Sequence, residues 1–132
     1  MNTSIASYYV SELDNWKESI NLHFEEMNEA DEWLNEIIHY NTVPKLAAKV
    51  EHHLNQLMIC RQMFDDLNDD ILLLENKISI DDRPIAVTAL SEDMVEQQKL
   101  LRNNIYKAEK QLLEVKYECN QFLADTMNAQ KK

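Results

Sequence analysis

The chain contains 132 residues and carries a formal net charge of −11 at pH 7, from 24 acidic and 13 basic side chains. Its length is typical of a single domain, and its negative charge argues against direct binding to a nucleic acid backbone or to an anionic membrane surface. The sequence has no glycine, so neither of the common glycine-rich loops that cradle phosphate groups is present.

The first predicted helix extends from about residue 4 to residue 40. Thr3 or Ser4 can cap its first turn, and Asn41 and Thr42 end it. One face carries mostly apolar residues at alternating steps of three and four, the spacing that packed, slightly supercoiled helices require. We call such a face a seam. The seam of this helix consists of Tyr9, Leu13, Trp16, Ile20, His23, Met27, Ala30, Leu34 and Ile37.

Most of the negative charge lies on this first helix. Residues 1–42 contain nine acidic side chains and a single basic one, Lys17, which gives a net charge of −8. Long runs of charge on a helix usually keep a surface solvated, but they also suit a contact with a basic protein. Glu18, Glu25 and Glu32 are the candidate residues for such a contact.

The second predicted helix runs from Pro44 to Ile78. Proline is tolerated in the first turn of a helix, where its missing N–H would have no partner in any case. The short connection from the first helix predicts an antiparallel hairpin. The seam of the second helix consists of Val43, Leu46, Val50, His53, Leu57, Cys60, Phe64, Leu67, Ile71, Leu74 and Ile78.

A connecting segment, residues 79–88, separates the second helix from the third. Asp81, Asp82 and Pro84 stop the second helix there. The third helix is predicted to run from about residue 89 to residue 127. Its seam consists of Met94, Gln98, Leu101, Ile105, Ala108, Leu112, Val115, Cys119 and Phe122.

Three seams of this kind predict an all-α fold, an elongated, coiled-coil-like antiparallel bundle of three helices that forms a single domain over residues 1–132. The heptad pattern, the number of helices and their lengths resemble those of a spectrin-type repeat. The tryptophan on the first seam, Trp16, is a further similarity. What this resemblance implies is the architecture of such a repeat; no activity or partner comes with it.

Three polar side chains interrupt the seams: His23, His53 and Gln98. A polar residue in a seam fixes register and partner number at some cost in stability. We expect this role for all three, with Gln98 hydrogen-bonded to the indole N–H of Trp16. The alternative for the histidines is a pH sensor, because two buried imidazoles that become charged at about pH 6 would loosen the bundle.

Both cysteines also lie on seams. Cys60 and Cys119 are predicted to be ~15 Å apart along the bundle, too far for a disulfide, so we expect buried, reduced thiols in a cytoplasmic protein. Residues 1–7 contain no Lys, no Arg and no apolar run, which argues against a signal peptide. No stretch approaches the roughly 18 consecutive apolar residues of a membrane span.

Motifs for catalysis or metal binding are weak. Glu36 and His39 form an E-x-x-H sequence, but di-iron bundles need two such motifs and two further inward carboxylates. Residues 66–70 suggest a calcium-binding loop, but Ile71 stands where that loop needs glycine and Lys77 where it needs glutamate. We therefore predict no cofactor, no metal and no enzymatic activity, with a bundle-type metal protein as a remote alternative.

Several large apolar residues are predicted to point outward, where the seams cannot use them. They are Met58, Ile59, Leu72 and Leu73 on the second helix and Leu100, Tyr106 and Leu113 on the third. Three of them, Leu72, Leu73 and Leu100, lie near the connecting segment, whose apolar residues Ile80, Ile85 and Val87 can cover them. The alternative is that these three form part of a patch that binds a second copy of the chain or another helical protein. The other four are predicted to lie in the groove between the second and third helices, where they can contact a partner or a second copy of the chain.

These observations favour a non-enzymatic helical interaction or scaffolding module that acts through faces of its helices and can form a homodimer. The alternative is an acidic regulatory or chaperone-like protein that binds a basic protein partner through the first helix. Neither hypothesis involves nucleic acid or a membrane.

Overall fold

The computed structural model describes three stretches of the chain, and each is one α-helix. Helix α1 spans Ile5–Tyr40, α2 spans Pro44–Ile80 and α3 spans Glu92–Gln130. The three helices pack against one another, and these described residues contain no strand. The predicted all-α fold, a three-helix bundle, is confirmed.

The helices follow the predicted limits closely. Helix α1 begins one residue after its predicted start, α2 continues two residues past Ile78, and α3 begins and ends three residues later than predicted. Pro44 is the first residue of α2, where proline has no hydrogen bond to lose. The residues predicted to end α1, Asn41 and Thr42, and most of the connecting segment lie outside the described residues.

The seams form the core of the bundle. Steps of three and four keep the seam side chains on one side of each helix, so packing of the three helices removes these faces from water together. Each large apolar side chain buried in this way stabilises the fold by roughly 1.5–3 kcal/mol before ordering entropy is counted. The largest fully buried apolar side chains are Phe64, Leu13, Ile20, Met27, Leu34, Leu57, Ile71 and Leu112.

The seam of α3 ends differently from the prediction. Leu123 and Thr126 are buried after Cys119, whereas Phe122 is only half-buried. The helix therefore takes a step of four where the strict heptad placed a step of three. Since a straight helix has 3.6 residues per turn, it drifts away from a 3.5-residue repeat, so Leu123 takes the fully packed position and Phe122 stays half-buried at the edge of the seam, stacked on His53.

The described residues divide into two compact units. Unit 1 contains α1 up to Leu22, α2 from Phe64 onward and α3 up to Lys107, and unit 2 contains the other parts of the three helices. Every contact reported below lies within one unit. The single domain predicted from chain length stays a prediction.

Helices α1 and α3 run in the same direction. In unit 2, Glu109 contacts His23 and Lys116 contacts Glu26, so residue numbers rise together along the two helices. Only three residues separate the end of α1 from the start of α2, so α2 runs back against α1. This is the predicted antiparallel, up-down-up order.

Candidate functional site

A polar cluster joins α1 to α3 in unit 1. Gln98 is only 1% exposed, and its Nε2 donates to the carbonyl oxygen of Tyr9 at 3.0 Å and to Oε1 of Glu12 at 2.9 Å. The Arg102 guanidinium reaches the same carboxylate with two hydrogen bonds, from Nε at 2.9 Å and from Nη2 at 2.6 Å. The predicted Trp16 partner is thus replaced by Tyr9 and Glu12, and Trp16 instead lies 6.0 Å from the Arg102 guanidinium carbon.

These contacts control the ionisation of Glu12. Burial of the carboxyl group opposes its charged form, but the hydrogen bonds from Arg102 and Gln98 outweigh burial and hold the pKa of Glu12 below its usual value. The cluster therefore contains a carboxylate whose acceptor sites are used inside the bundle. Its hydrogen bonds hold α1 against α3.

His23 in unit 2 lies between two carboxylates. Its Nε2 is 2.7 Å from Oε2 of Glu109 and its Nδ1 is 3.5 Å from Oε1 of Glu26. Glu26 also accepts a hydrogen bond from Lys116. His23 thus links α1 to α3 at the border of the seam, and the predicted role in register has a physical basis in these contacts.

His53, the second seam histidine, has different surroundings. Its ring stacks on Phe122, with ring centroids 4.8 Å apart, and meets the His52 ring edge-on at 5.2 Å. The Nδ1 atom is buried, and no described residue hydrogen-bonds to it. Burial of the ring, helped by the neighbouring His52, lowers the pKa of His53, although Glu118 acts in the opposite direction.

Both thiols are buried. Cys60 and Cys119 are free and inaccessible to water, as the sequence predicted. Burial raises the pKa of the Cys60 thiol, and burial together with the charge of Asp31 raises the pKa of the Cys119 thiol. Neither thiol is activated as a nucleophile.

The E-x-x-H pair lies on the surface of α1. Glu36 and His39 are both exposed, and no three His, Cys, Asp or Glu side chains converge on a metal-sized site anywhere in the three described stretches. None of the three helices is long and apolar enough to cross a membrane.

All seven apolar residues that were predicted to point outward are exposed. Their exposed fractions range from 49% to 69%. Two of them, Leu73 and Leu100, line one groove of about 220 Å³ between α2 and α3 in unit 1, and Lys77 and Gln97 line the same groove. Of the residues predicted to cover this end of the bundle, Ile80 is the last residue of α2, and Ile85 and Val87 lie outside the described residues.

It stays a prediction that four of these residues, Met58, Ile59, Tyr106 and Leu113, share the groove between α2 and α3. The depression beside Leu113 is lined by α3 residues alone, and Met58 and Ile59 of α2 do not line it. Leu113 lies one turn from both Glu109 and Lys116, which contact α1. By helix geometry Leu113 therefore borders α1.

A second groove lies between α1 and α3 in unit 2, and the sequence did not predict it. We call it the α1–α3 groove. It has a volume of about 360 Å³ and is lined by Glu26, Glu29, Ala30 and Trp33 on α1 and by Lys116, Asn120, Leu123 and Met127 on α3. The pairing of Glu26 with Lys116, ninety residues apart, places Trp33 level with Leu123. The sequence alone does not give this axial alignment of α1 with α3.

The acidic side chains of α1 fall into two groups. In unit 2, Glu26 and Asp31 pair with cations of α3 and α2. A second group is exposed, and no described basic side chain forms a salt bridge with it. We call this second group the acidic stripe: Glu25, Glu29, Glu32 and Glu36. Its steps of four, three and four place it on one helix face. In unit 1, the predicted contact residue Glu18 is exposed in the same way.

Comparison of the chain with protein-family models, with curated proteins and with solved structures found no match.

Proposed function

We propose that this protein is a non-enzymatic helical interaction module that contacts other proteins, including a second copy of itself, through exposed apolar side chains. The observation that supports this most directly is the exposure of all seven outward apolar residues on α2 and α3. When a partner covers a large apolar side chain that is in contact with water, the burial stabilises the complex. The contribution is roughly 1.5–3 kcal/mol for a leucine that becomes fully buried.

The polar residues inside the bundle support binding over catalysis. The buried amide of Gln98 and the carboxylate of Glu12 hydrogen-bond to groups of the opposite helix, and His53 stacks on Phe122. These groups therefore hold helices together, and the surfaces left for a partner are helix faces.

Self-association is tested by size-exclusion chromatography with light scattering over a range of concentrations. We expect a dimer in the wild type and a shift toward monomer in Leu100→Glu and in Leu113→Glu, because each places a charge in an apolar contact. Asn103→Glu is the matched control, since it adds the same charge at an exposed position of α3. A wild type that is monomeric at high micromolar concentration and unaffected by Leu113→Glu rules out the homodimer.

A second candidate function is that of an acidic regulatory or chaperone-like protein that binds a basic partner through α1. The observation that favours it is the acidic stripe, whose four carboxylates have no described basic partner. Charges left over after internal pairing are available to steer and bind a protein of opposite sign.

The two candidates respond differently to salt. Capture of a basic protein that is lost when salt rises from low to moderate concentration supports the acidic regulator, because exposed charges are screened. Self-association that is insensitive to salt supports the apolar module. A variant with all four stripe carboxylates replaced by glutamine should lose the salt-sensitive capture. The matched control replaces Asp65, Asp69, Glu114 and Glu118 by amides, which changes the net charge equally.

A further inference from the structure

The α1–α3 groove of unit 2 combines apolar anchors with negative charge. Its most accessible apolar side chains are Trp33, 44% exposed, and Met127, 36% exposed. Leu123 and Ala30 complete its apolar lining. A tryptophan held half out of water beside a flexible methionine is the type of surface that supplies a large share of binding free energy at protein interfaces.

The charge around Trp33 is one-sided. Glu29 precedes it by four residues and Glu36 follows it by three, so both lie one turn away on the same helix surface. Both are exposed, and neither forms a salt bridge with a described basic residue. Lys116, the cation that lines the groove, already pairs with Glu26.

The α3 side of the groove does not compensate this charge. Its other polar lining residue, Asn120, is neutral. An occupant of the groove therefore meets apolar surface at the centre and two carboxylates along the α1 edge. Apolar contact stabilises such an occupant, and the carboxylates favour one that is positively charged.

We propose that the α1–α3 groove docks a basic amphipathic helix of another protein. Apolar residues of that helix, at steps of three and four, would pack on Trp33 and Met127, and its Lys or Arg side chains would pair with Glu29 and Glu36. A second copy of this chain has a net charge of −11, so these two carboxylates disfavour it as the occupant. The proposal rests on the proposed function as an interaction module and gives it a site and a partner chemistry.

The probe is a fluorescein-labelled synthetic peptide of about 18 residues, or roughly five helical turns. It carries leucine at steps of three and four on one face and lysine or arginine on the other. Binding to the full chain is followed by fluorescence anisotropy. The first control peptide has the same composition in an order that breaks the leucine stripe, and the second has glutamate in place of the basic residues.

We expect the basic amphipathic peptide to bind at least about tenfold more tightly than either control. Trp33→Ser should weaken binding about tenfold or more, as loss of an interface hot spot does. The double variant Glu29→Gln, Glu36→Gln should weaken it at low salt and reduce its dependence on salt. The matched controls are Tyr117→Ser and the double variant Glu114→Gln, Glu118→Gln, because both change exposed residues of unit 2 that do not line the groove. Both should bind like the wild type.

Two results overturn the proposal. The first is equal affinity for the basic amphipathic peptide and its reordered control, since it shows charge attraction alone. The second is unchanged affinity in both Trp33→Ser and the double glutamine variant, provided that circular dichroism shows wild-type helix content. If either occurs while Leu100→Glu still disrupts self-association, the interaction module stands and only this groove is excluded. If self-association is also absent, the proposed function fails with it.

Discussion

At the scale of the residue, Glu12 receives most of the interhelical hydrogen bonds in the polar cluster of unit 1. It accepts hydrogen bonds from both Gln98 and Arg102. The substitution Glu12→Gln removes the charge of this acceptor while nearly preserving its shape. We expect a loss of about 1 kcal/mol in the free energy of unfolding at pH 7, a modest value because Arg102 is partly solvated. Urea denaturation measures it, with Glu18→Gln as the control at an exposed position of the same helix.

The pH dependence of this effect follows from the lowered pKa of Glu12. A carboxyl group whose pKa is lower in the folded state contributes stability that is present above the unfolded pKa. The contribution is lost as pH falls through the folded pKa. The difference between the wild type and Glu12→Gln should therefore be largest near neutral pH and shrink on acidification. A difference that stays constant down to about pH 3 would contradict this account.

The pH dependence expected for His53 has the same direction, although the group is a base. Its pKa is lowered in the folded state, so the unfolded chain binds the proton more tightly. The stability it allows is complete above the unfolded pKa of about 6.5 and is lost as pH falls below it. We expect His53→Phe, which keeps an aromatic ring against Phe122, to melt at a temperature that changes less than the wild type between pH 7.5 and 5.5.

The control for His53 is Asn55→Gln, which changes an exposed side chain of the same helix that does not ionise. It should retain the pH dependence of the wild type. Equal pH dependence in His53→Phe and the wild type would show that burial of this ring does not couple folding to protonation, and the pH-sensor interpretation would lose its support at His53.

At the scale of the element, α1 carries a helix face that repels itself. Glu25 and Glu29 are four residues apart, as are Glu32 and Glu36, and like charges at that spacing destabilise a helix by about 0.2–0.5 kcal/mol per pair. The double variant Glu29→Gln, Glu32→Gln should therefore be more stable than the wild type by up to about 1 kcal/mol at low salt. Urea denaturation measures the gain, and about 0.5 M salt should reduce it.

The control for this element is Glu114→Gln, Glu118→Gln, which removes the same number of charges from a pair four residues apart on α3. It should give a smaller gain, since it relieves one repulsive pair and leaves the stripe intact. A loss of stability in the α1 variant would mean that the stripe carboxylates have stabilising partners, and it would weaken the case that they are available to a basic protein.

The sequence predicts the features of these helices that recur at regular spacing and misses those that do not. The seams were predictable because every packed turn needs an apolar residue on the same face. The end of the α3 seam was not, since a shift from Phe122 to Leu123 requires only one step of four in place of three. The partner of Gln98 was missed for a related reason. The heptad gives the level of a side chain along the bundle, whereas its hydrogen bonds depend on rotamers and on neighbours such as Glu12.

The candidate surfaces were predictable only in part. Exposure of the outward residues follows from their positions off the seams, and the structure agrees for all seven. Which of them share a groove depends on the rotation and register of one helix against another. Leu73 and Leu100 do share one, whereas Leu113 borders α1. The same register information was needed to find that Trp33 and Met127 line one groove.

At the scale of the whole molecule, the net charge of −11 sets how stability responds to salt. The ion pairs of both units, such as Lys17–Glu75 and Arg61–Asp31, weaken when salt screens them, but partly solvated pairs contribute little. Repulsion among the excess carboxylates is screened at the same time, and it opposes the compact state.

Repulsion should dominate this balance, so we expect the Tm to rise by a few degrees when sodium chloride increases from about 20 mM to about 300 mM, as the screening length falls to below 10 Å. Chloride is chosen because sulfate and phosphate strengthen apolar burial in any protein. The variant with the four stripe carboxylates replaced by glutamine serves as the control and should show a smaller rise, because it starts with less repulsion. A Tm that falls with added chloride would mean that the ion pairs between helices stabilise the fold by more than repulsion among the excess carboxylates destabilises it. The repulsion along the acidic face of α1 would then be offset by contacts within the fold.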